Sequence, residues 1–595
     1  MIEKNPNTEN IKYQFSDFLY DEKSRVHLLP DYKLRNFDYS DGAEAEKYIS
    51  GVIKRAKDIS DNSQELASLS RDWPSYYHLG LGRSNIMECL ELPRGYKVLE
   101  IGSGCGALTR YLGEKFTSVD AVEGSFLRAE ATKERCRDLK NVKVFCGNAK
   151  YINFNSVYDV ATLIGVLEYA PLFLDGYDAE ESCLRLICHV KAALKKEGML
   201  VIAIENKIGL KYWNGFPEDH TGKVFDGIQD YPDRRSPVTF CRRGLEKILK
   251  AAGFSNVSFY YCFPDYKFAS TIISDSGAEN NFYLHNWIDA PFDSCGTSRV
   301  HNFHEGLAVK TLSEAGLIRE LSNSFLVVAS LNKPDSVGEP GWVIKKFSVK
   351  RRKEYQCVTT AKLNPGIHIE KKRLSGEAKD IIAEEAGLKL RHIVGDSPWC
   401  AGDLMIFDIF KALVSQNFLE RILELLRIYY SEMMGRYHIG INDSEGFPLL
   451  RGDSIEFIFR NIVRKEGKLF CVDNEWVIEG NIPADYIMYR AISYDIIDLQ
   501  KPWLEKKVKN PDKFTVELIK SFFPKYSRER NQKNILADER FQKIVVAEKG
   551  LNKIISNDKL EFFKKSMFGN LIVKIWAHLP QGLRIKIKSL LFRSL

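Results

Sequence analysis

The residues best suited to chemistry begin at Val98–Leu112, VLEIGSGCGALTRYL. An apolar run ends in an acid, Glu100; Gly102, Gly104 and Gly106 follow at alternate positions, and a helical pattern starts near Ala107. Glycine lets backbone approach a ligand where a β-carbon would collide, and a helix start offers unpaired N–H groups to an oxygen ligand. The dinucleotide fingerprint is GxGxxG and seats a pyrophosphate. Here the spacing is GxGxG, and the flanking acid would repel pyrophosphate but attract an ammonium group. The pattern therefore points to S-adenosylmethionine (SAM) rather than a nicotinamide dinucleotide. A second acid, Glu123, closes the next strand, where it can accept hydrogen bonds from ribose hydroxyls. Asn148 follows the third strand and is placed to read the adenine edge.

An acceptor site should lie beyond the carboxyl ends of the later strands. The cluster there is Glu205-Asn206-Lys207, Lys211-Tyr212 and Glu218-Asp219-His220. A sugar hydroxyl needs a base before it can attack a methyl group. His220, with Asp219 beside it, is the candidate, because an imidazole titrates near neutral pH. Glu168, in GVLEYA, is expected to line the methyl pocket, and Tyr76, Tyr77, His78 and Arg83 to fold over the cofactor. No metal site is expected: the 12 cysteines are scattered, with no CxxC pair, and read as reduced thiols.

The elements that must hold these residues are legible from periodicity. A chain of 595 residues exceeds one core, and 44% hydrophobic with 28% charged residues is an ordinary soluble composition. Residues 1–72 read as a helical extension. From 73 to 332, strands alternate with amphipathic helices, as in a doubly wound α/β sheet. The strand candidates are KVLEIG, SVDAVEG, VKVFCGN, YDVATLIGV, GMLVIAIEN, NVSFYYCF and SFLVVAS. The Pro/Gly-rich NKPDSVGEPG reads as a linker, and residues 341–557 as a second α+β domain. Neither a signal peptide nor an apolar run of membrane-spanning length is evident, so a cytoplasmic protein is expected. A net charge of +7 is too mild at this length to imply nucleic acid.

Taken together, WPSYYHLGLGRSNI, VLEIGSGCGALTRYL, AVEGSFLRAEATKERCRDL, LIGVLEYA, IAIENKIGLKYWNGFPEDHTG and NSFLVVA resemble a family of bacterial class I SAM-dependent methyltransferases linked to surface polysaccharide and glycan assembly. The resemblance spans about residues 36–332. It implies a seven-stranded Rossmann-like fold ending in an antiparallel pair, FYYCF with SFLVVAS, and an insertion between them that caps the acceptor site. It also implies a glycan or lipid-linked glycan acceptor and polysaccharide-assembly enzymes as partners.

The second half is faintly similar to aminoglycoside- and choline-kinase-like folds. Glu456 and Asn461 stand five apart, and Asp473 closes a short strand. On that likeness Asn461 and Asp473 would hold Mg²⁺ on ATP, Lys345 or Lys346 the phosphates, with Glu354 as the lysine's partner. Glu replaces the kinase Asp, and neither an HGD or HRD motif nor a glycine-rich loop is present. A degenerate docking domain is therefore preferred to Mg-ATP chemistry. The tail, residues 558–595, is basic and amphipathic, reading FFKKSMFGNLIVKIWAHLPQGLRIKIKSLLFRSL from Phe562 to Leu595. Such segments lie on anionic membranes or dock on a partner, which makes a peripheral protein on the inner face of the cytoplasmic membrane the expectation. The leading expectation is methylation of a sugar hydroxyl. The alternatives are a kinase–methyltransferase and a glycan-assembly scaffold with a regulatory SAM site. The chain has no NPPY-type tetrad to grip a flipped base.

Overall fold

The computed structural model describes residues 12–546 except 31, 33–41, 175–177, 233–236, 281, 289–298, 333–340, 364–365 and 386. The basic tail lies outside the described residues. A hairpin of β1 (Leu19–Asp21) and β2 (Val26–Leu28) opens the chain. Then come β3 (Lys97–Ile101), β4 (Ser118–Glu123), β5 (Val142–Cys146), β6 (Tyr158–Ile164) and β7 (Leu194–Glu205). After these stand β8 (Asn256–Phe263), β9 (Thr271–Ser274), β10 (Ser324–Ser330), β11 (Trp342–Ser348), β12 (Cys357–Leu363) and β13 (Ile367–Arg373).

In space the order is β1-β2-β5-β4-β3-β6-β7-β10-β8-β9-β11-β12-β13, with a short last strand at Ser397–Pro398. Strands β5-β4-β3-β6-β7 are parallel, and β10 runs antiparallel to both β7 and β8. This is the expected Rossmann-like sheet with its antiparallel close. The central strands are apolar on both faces because helices cover both. In β3, Val98, Leu99, Glu100 and Ile101 are all buried.

Two features differ from the sequence reading. The N-terminal extension is not only helical: β2 pairs in parallel with β5 and lengthens the sheet edge. Its helix, Ala43–Arg55, lies on helix Phe126–Arg135 through a buried Glu46–Arg128 ion pair of 2.8 Å. The segment between β8 and β10 does more than cap the site. It carries β9, which pairs with β8 and, on its other edge, with β11. The sheet thus continues past residues 333–340, and Val343, Ile344, Ala361 and Ile369 belong to the same apolar core as β6, β7 and β10.

A second core gathers residues 355–545 around helices Ile406–Val414, Phe418–Tyr437 and Ala484–Ile492, flanked by three small sheets. It meets the first half through polar contacts. His285 Nε2 lies 2.9 Å from Asp403 Oδ1, Lys310 pairs with Asp403 at 2.8 Å, and His304 Nε2 lies 2.8 Å from Gln500 Oε1.

Candidate active site

A cavity of about 1120 Å³ opens at the carboxyl ends of the parallel strands. One end is built by the glycine loop. Gly102, Gly104 and Gly106 have φ of +81°, +56° and +81°, a region that disfavours residues with a β-carbon. Crowding adds a second reason: a Cβ on Gly102 would meet Val166 at 2.5 Å, and one on Gly106 would meet the Thr132 backbone at 2.9 Å. Gly106, expected at the cofactor, does not line the cavity; its lack of a side chain serves the close approach of helix Phe126–Arg135. Glu123 accepts the Gly104 N–H at 2.7 Å and the Ser125 N–H at 2.9 Å, so it ties β4 to the loop. Burial pushes its carboxyl up, against the pull of Arg128. Glu100 accepts the Thr109 hydroxyl at 2.6 Å, and burial pushes its carboxyl up to about 7. Asn148 lines the cavity, with its oxygen accepting the Lys150 N–H at 3.0 Å. Carboxylates placed for hydroxyls and an ammonium, beside a glycine loop at a helix start, fit SAM. Tyr77, His78 and Arg83 line the cavity. Tyr76 does not: it stacks on Phe268, with ring centroids 4.5 Å apart.

The other end holds a buried charge network. His220 Nδ1 lies 3.0 Å from Glu218 Oε1, its backbone N–H donates to Glu218 Oε2 at 2.8 Å, and its ring meets Tyr169 edge-on. Nε2 stands 3.7 Å from Glu168 Oε1 and 3.8 Å from Glu205 Oε2. Burial works against a charged imidazole, but Glu205, Glu168 and Glu218 outweigh it and hold His220 well above its usual range. Such an imidazole carries its proton at neutral pH, the opposite of what a general base needs. The neighbour that holds it is Glu218. Asp219 instead accepts the Tyr212 hydroxyl at 2.6 Å and pairs with Lys211 at 2.7 Å and Lys267 at 3.1 Å. Burial notwithstanding, those two lysines keep Asp219 far below the carboxylate range.

Glu168 lines the cavity from the turn Leu167–Tyr169 after β6, 1% exposed and with one oxygen lacking a hydrogen-bond partner. The sequence reading missed Lys267 and Asp265. Both come from PDYK after β8, and Lys267 bridges Glu205, Asp219 and Asp265. Asn206 is structural, donating to the backbone oxygens of Glu320 and Ser322, and Lys207 pairs with Asp230.

In the second half the assigned lysine is corrected. Lys345 donates to the Cys89 carbonyl and pairs with Glu91, far in sequence from the acidic loop. Lys346 lies beside it on β11, and Glu354 in the turn Lys353–Tyr355, where its carbonyl accepts from Arg373. The lysine that reaches Asp473 is Lys371 of β13, at 2.6 Å, and it also pairs with Glu475 at 3.0 Å. Asn461 donates to the Glu456 carbonyl at 3.1 Å, and burial pushes the Glu456 carboxyl up to about 8.

The sheet order, the glycine loop and the acids closing β3 and β4 define a class I methyltransferase site. A family model described as a methyltransferase domain matches residues 77–259, so the chain carries that domain and is a SAM-dependent methyltransferase. No curated protein matches the chain. Among solved structures, a SAM-dependent methyltransferase from Thermotoga maritima is 16% identical over 42% of this chain and 88% of its own, with a TM-score of 0.25. A Bacillus halodurans protein described as a putative methyltransferase is 16% identical over 42% of this chain and 98% of its own, with a TM-score of 0.25. A phosphoethanolamine N-methyltransferase from Haemonchus contortus, solved with phosphomonomethylethanolamine and S-adenosylhomocysteine, is 16% identical over 42% of this chain and 53% of its own, with a TM-score of 0.26.

Proposed function

We propose that the enzyme methylates a sugar hydroxyl of a bacterial surface polysaccharide or a lipid-linked glycan. The observation that carries this reading is the acceptor end of the cavity: buried carboxylates with unsatisfied oxygens, on Glu168 and Glu205, beside the rings of Tyr169 and Phe216. Sugars ask for that pairing of hydrogen-bond acceptors and apolar ring faces. SAM supplies a methyl group on a positively charged sulfur. Glu100, Glu123, Asn148 and the loop Gly102–Gly106 would hold it, and the protein's main contribution is alignment of the acceptor oxygen with that methyl. The hydroxyl proton passes to a free oxygen of Glu168 or Glu205. His220 and Lys267 hold those carboxylates in place, and burial pushes the Glu205 carboxyl up against the pull of both. The basic tail would hold the enzyme near a lipid-linked acceptor and its assembly enzymes at the membrane face. Among the described residues no helix is long and apolar enough to cross a membrane.

A second reading is favoured by Lys371, Asp473, Glu475 and Glu456, a lysine with three acids in the second half. There the chain would phosphorylate a glycan terminus before methylating it. The test follows labelled methyl from SAM into membrane extracts, with and without ATP and Mg²⁺. Label in a lipid-linked glycan without ATP supports the simple methyltransferase. Label that needs ATP and disappears in Asp473→Ala supports the kinase–methyltransferase. No label in any glycan fraction overturns both.

A further inference from the structure

The acceptor end is short of positive charge. Counted fully ionised, five carboxylates (Glu168, Glu205, Glu218, Asp219 and Asp265) meet three cations, Lys211, Lys267 and His220. The lysines serve one side of the network. Lys211 is taken by Asp219 and Asp265, and Lys267 by Asp219, Asp265 and the Oε1 oxygen of Glu205. The other side, between Glu168, Glu205 and His220, is served by neither.

The geometry on that side does not satisfy itself. His220 Nε2 is 3.7 Å from Glu168 Oε1 and 3.8 Å from Glu205 Oε2, beyond hydrogen-bond reach. One donor atom from each of the three residues lies within 4.8 Å of the other two. Glu168 and Glu205 are 1% and 0% exposed, and the Oε2 oxygen of each has no hydrogen-bond partner. A buried carboxylate oxygen left unpaired is costly; Glu205 turns its unpaired Oε2 toward His220, and Glu168 turns Oε1 there, with a gap between the three. Donors about 2.1 Å from a divalent ion stand roughly 3 Å apart when adjacent and about 4.2 Å apart when opposite. The gap closes around such an ion with small side-chain movements. Glu218 adds the outer support that metal-bound imidazoles use, at 3.0 Å from the far nitrogen of the ring.

We propose that Glu168, Glu205 and His220 form a divalent-cation site at the acceptor end of the methyltransferase cavity. One imidazole with two carboxylates suits Mn²⁺ or Zn²⁺. Binding displaces the Nε2 proton of His220 to solvent, so the two charges of the ion replace one and leave a net gain of one, and the ion gives the acceptor oxygen a fixed point of attachment. That role rests on the hydroxyl-acceptor reading above, with the hydroxyl proton passing to the Glu168 oxygen that does not bind the ion; the site itself does not rest on it.

The test is Mn²⁺ uptake by the full-length chain with S-adenosylhomocysteine present, read from loss of the free-ion electron paramagnetic resonance signal. One Mn²⁺ per chain is expected. Glu205→Gln and His220→Asn should each weaken it at least tenfold while S-adenosylhomocysteine still binds. Asp473→Asn should leave this ion in place, which separates it from any ion at Glu456, Asp473 and Glu475. If Glu205→Gln no longer binds S-adenosylhomocysteine, His220→Asn decides alone. Wild-type chain that takes up no Mn²⁺ at millimolar concentration, or uptake unchanged in His220→Asn, overturns the proposal. Uptake without glycan label would support the ion site and sink the glycan reading. Label that persists in EDTA, with no uptake, would do the reverse.

Discussion

Glu100 and Glu123 flank the same loop, but they answer to different tests. Glu123 holds two backbone N–H groups and lines the cavity, so Glu123→Ala removes the tie between β4 and the loop together with the carboxylate proposed for the ribose hydroxyls. SAM affinity should fall ten- to a hundredfold, about 1.4–2.8 kcal/mol, read by calorimetry. Glu100 instead reports on pH. Its folded value of about 7 exceeds the ordinary 4.5, so between those values the folded chain keeps a proton that the unfolded chain has released. Stability of the SAM-free protein should therefore drop as pH rises through that window, by about 3 kcal/mol from this group, and level off above it. A bound ammonium favours the ionised form. SAM should then bind about tenfold more tightly at pH 8 than at pH 6, and Glu100→Gln should flatten that profile.

At the scale of elements, the site is held by loops that follow different strands. Lys211 comes from the short helix after β7, Asp219 from the loop beyond it, and Asp265 from the turn after β8. Lys211 is 0% exposed and joins the other two at 2.7 and 2.9 Å. Lys211→Met would leave two buried acids sharing Lys267, and removing one partner of a buried pair costs about 3–5 kcal/mol. We expect a melting temperature lowered by several degrees, together with lost acceptor binding. Periodicity gave the strands and the helices between them, because each strand of a covered parallel sheet is a short apolar run. It did not give the salt-bridge partners. Nothing local in PDYK signals that Lys267 crosses from β8 to Glu205 at the end of β7, since that meeting depends on β10 inserting between the two strands.

At the scale of the molecule, the sheet ignores the Pro/Gly-rich segment. Strand β11 covers the free edge of β9, with Ile344 opposite Ile273 and Lys345 opposite Ile272. A chain ended at residue 332 would expose that edge and the apolar face beneath it, an invitation to aggregate. One ended at residue 374 would keep β11–β13. The longer fragment should be the more soluble and melt at the higher temperature by differential scanning fluorimetry; equal behaviour would mean that β11 adds nothing to the first half.

The sequence alone brought out Glu100, Gly102, Gly104 and Glu123, which line one cavity, because their relation is local. A strand, a glycine loop, a helix start and the next strand's acid lie within Val98–Glu123, and short-range sterics fix their relation. Apolar runs of strand length also gave β3 to β7 and the pair β8 and β10, but not the places of β2, β9 and β11 in the sheet. Tertiary structure decided the rest. Whether His220 is a base or a cation depends on Glu168, Glu205 and Glu218 converging from three segments, and electrostatics is set by distance in space. The lysine facing Asp473 is likewise Lys371, not Lys345, because strand pairing turned one toward the acids and left the other to Glu91.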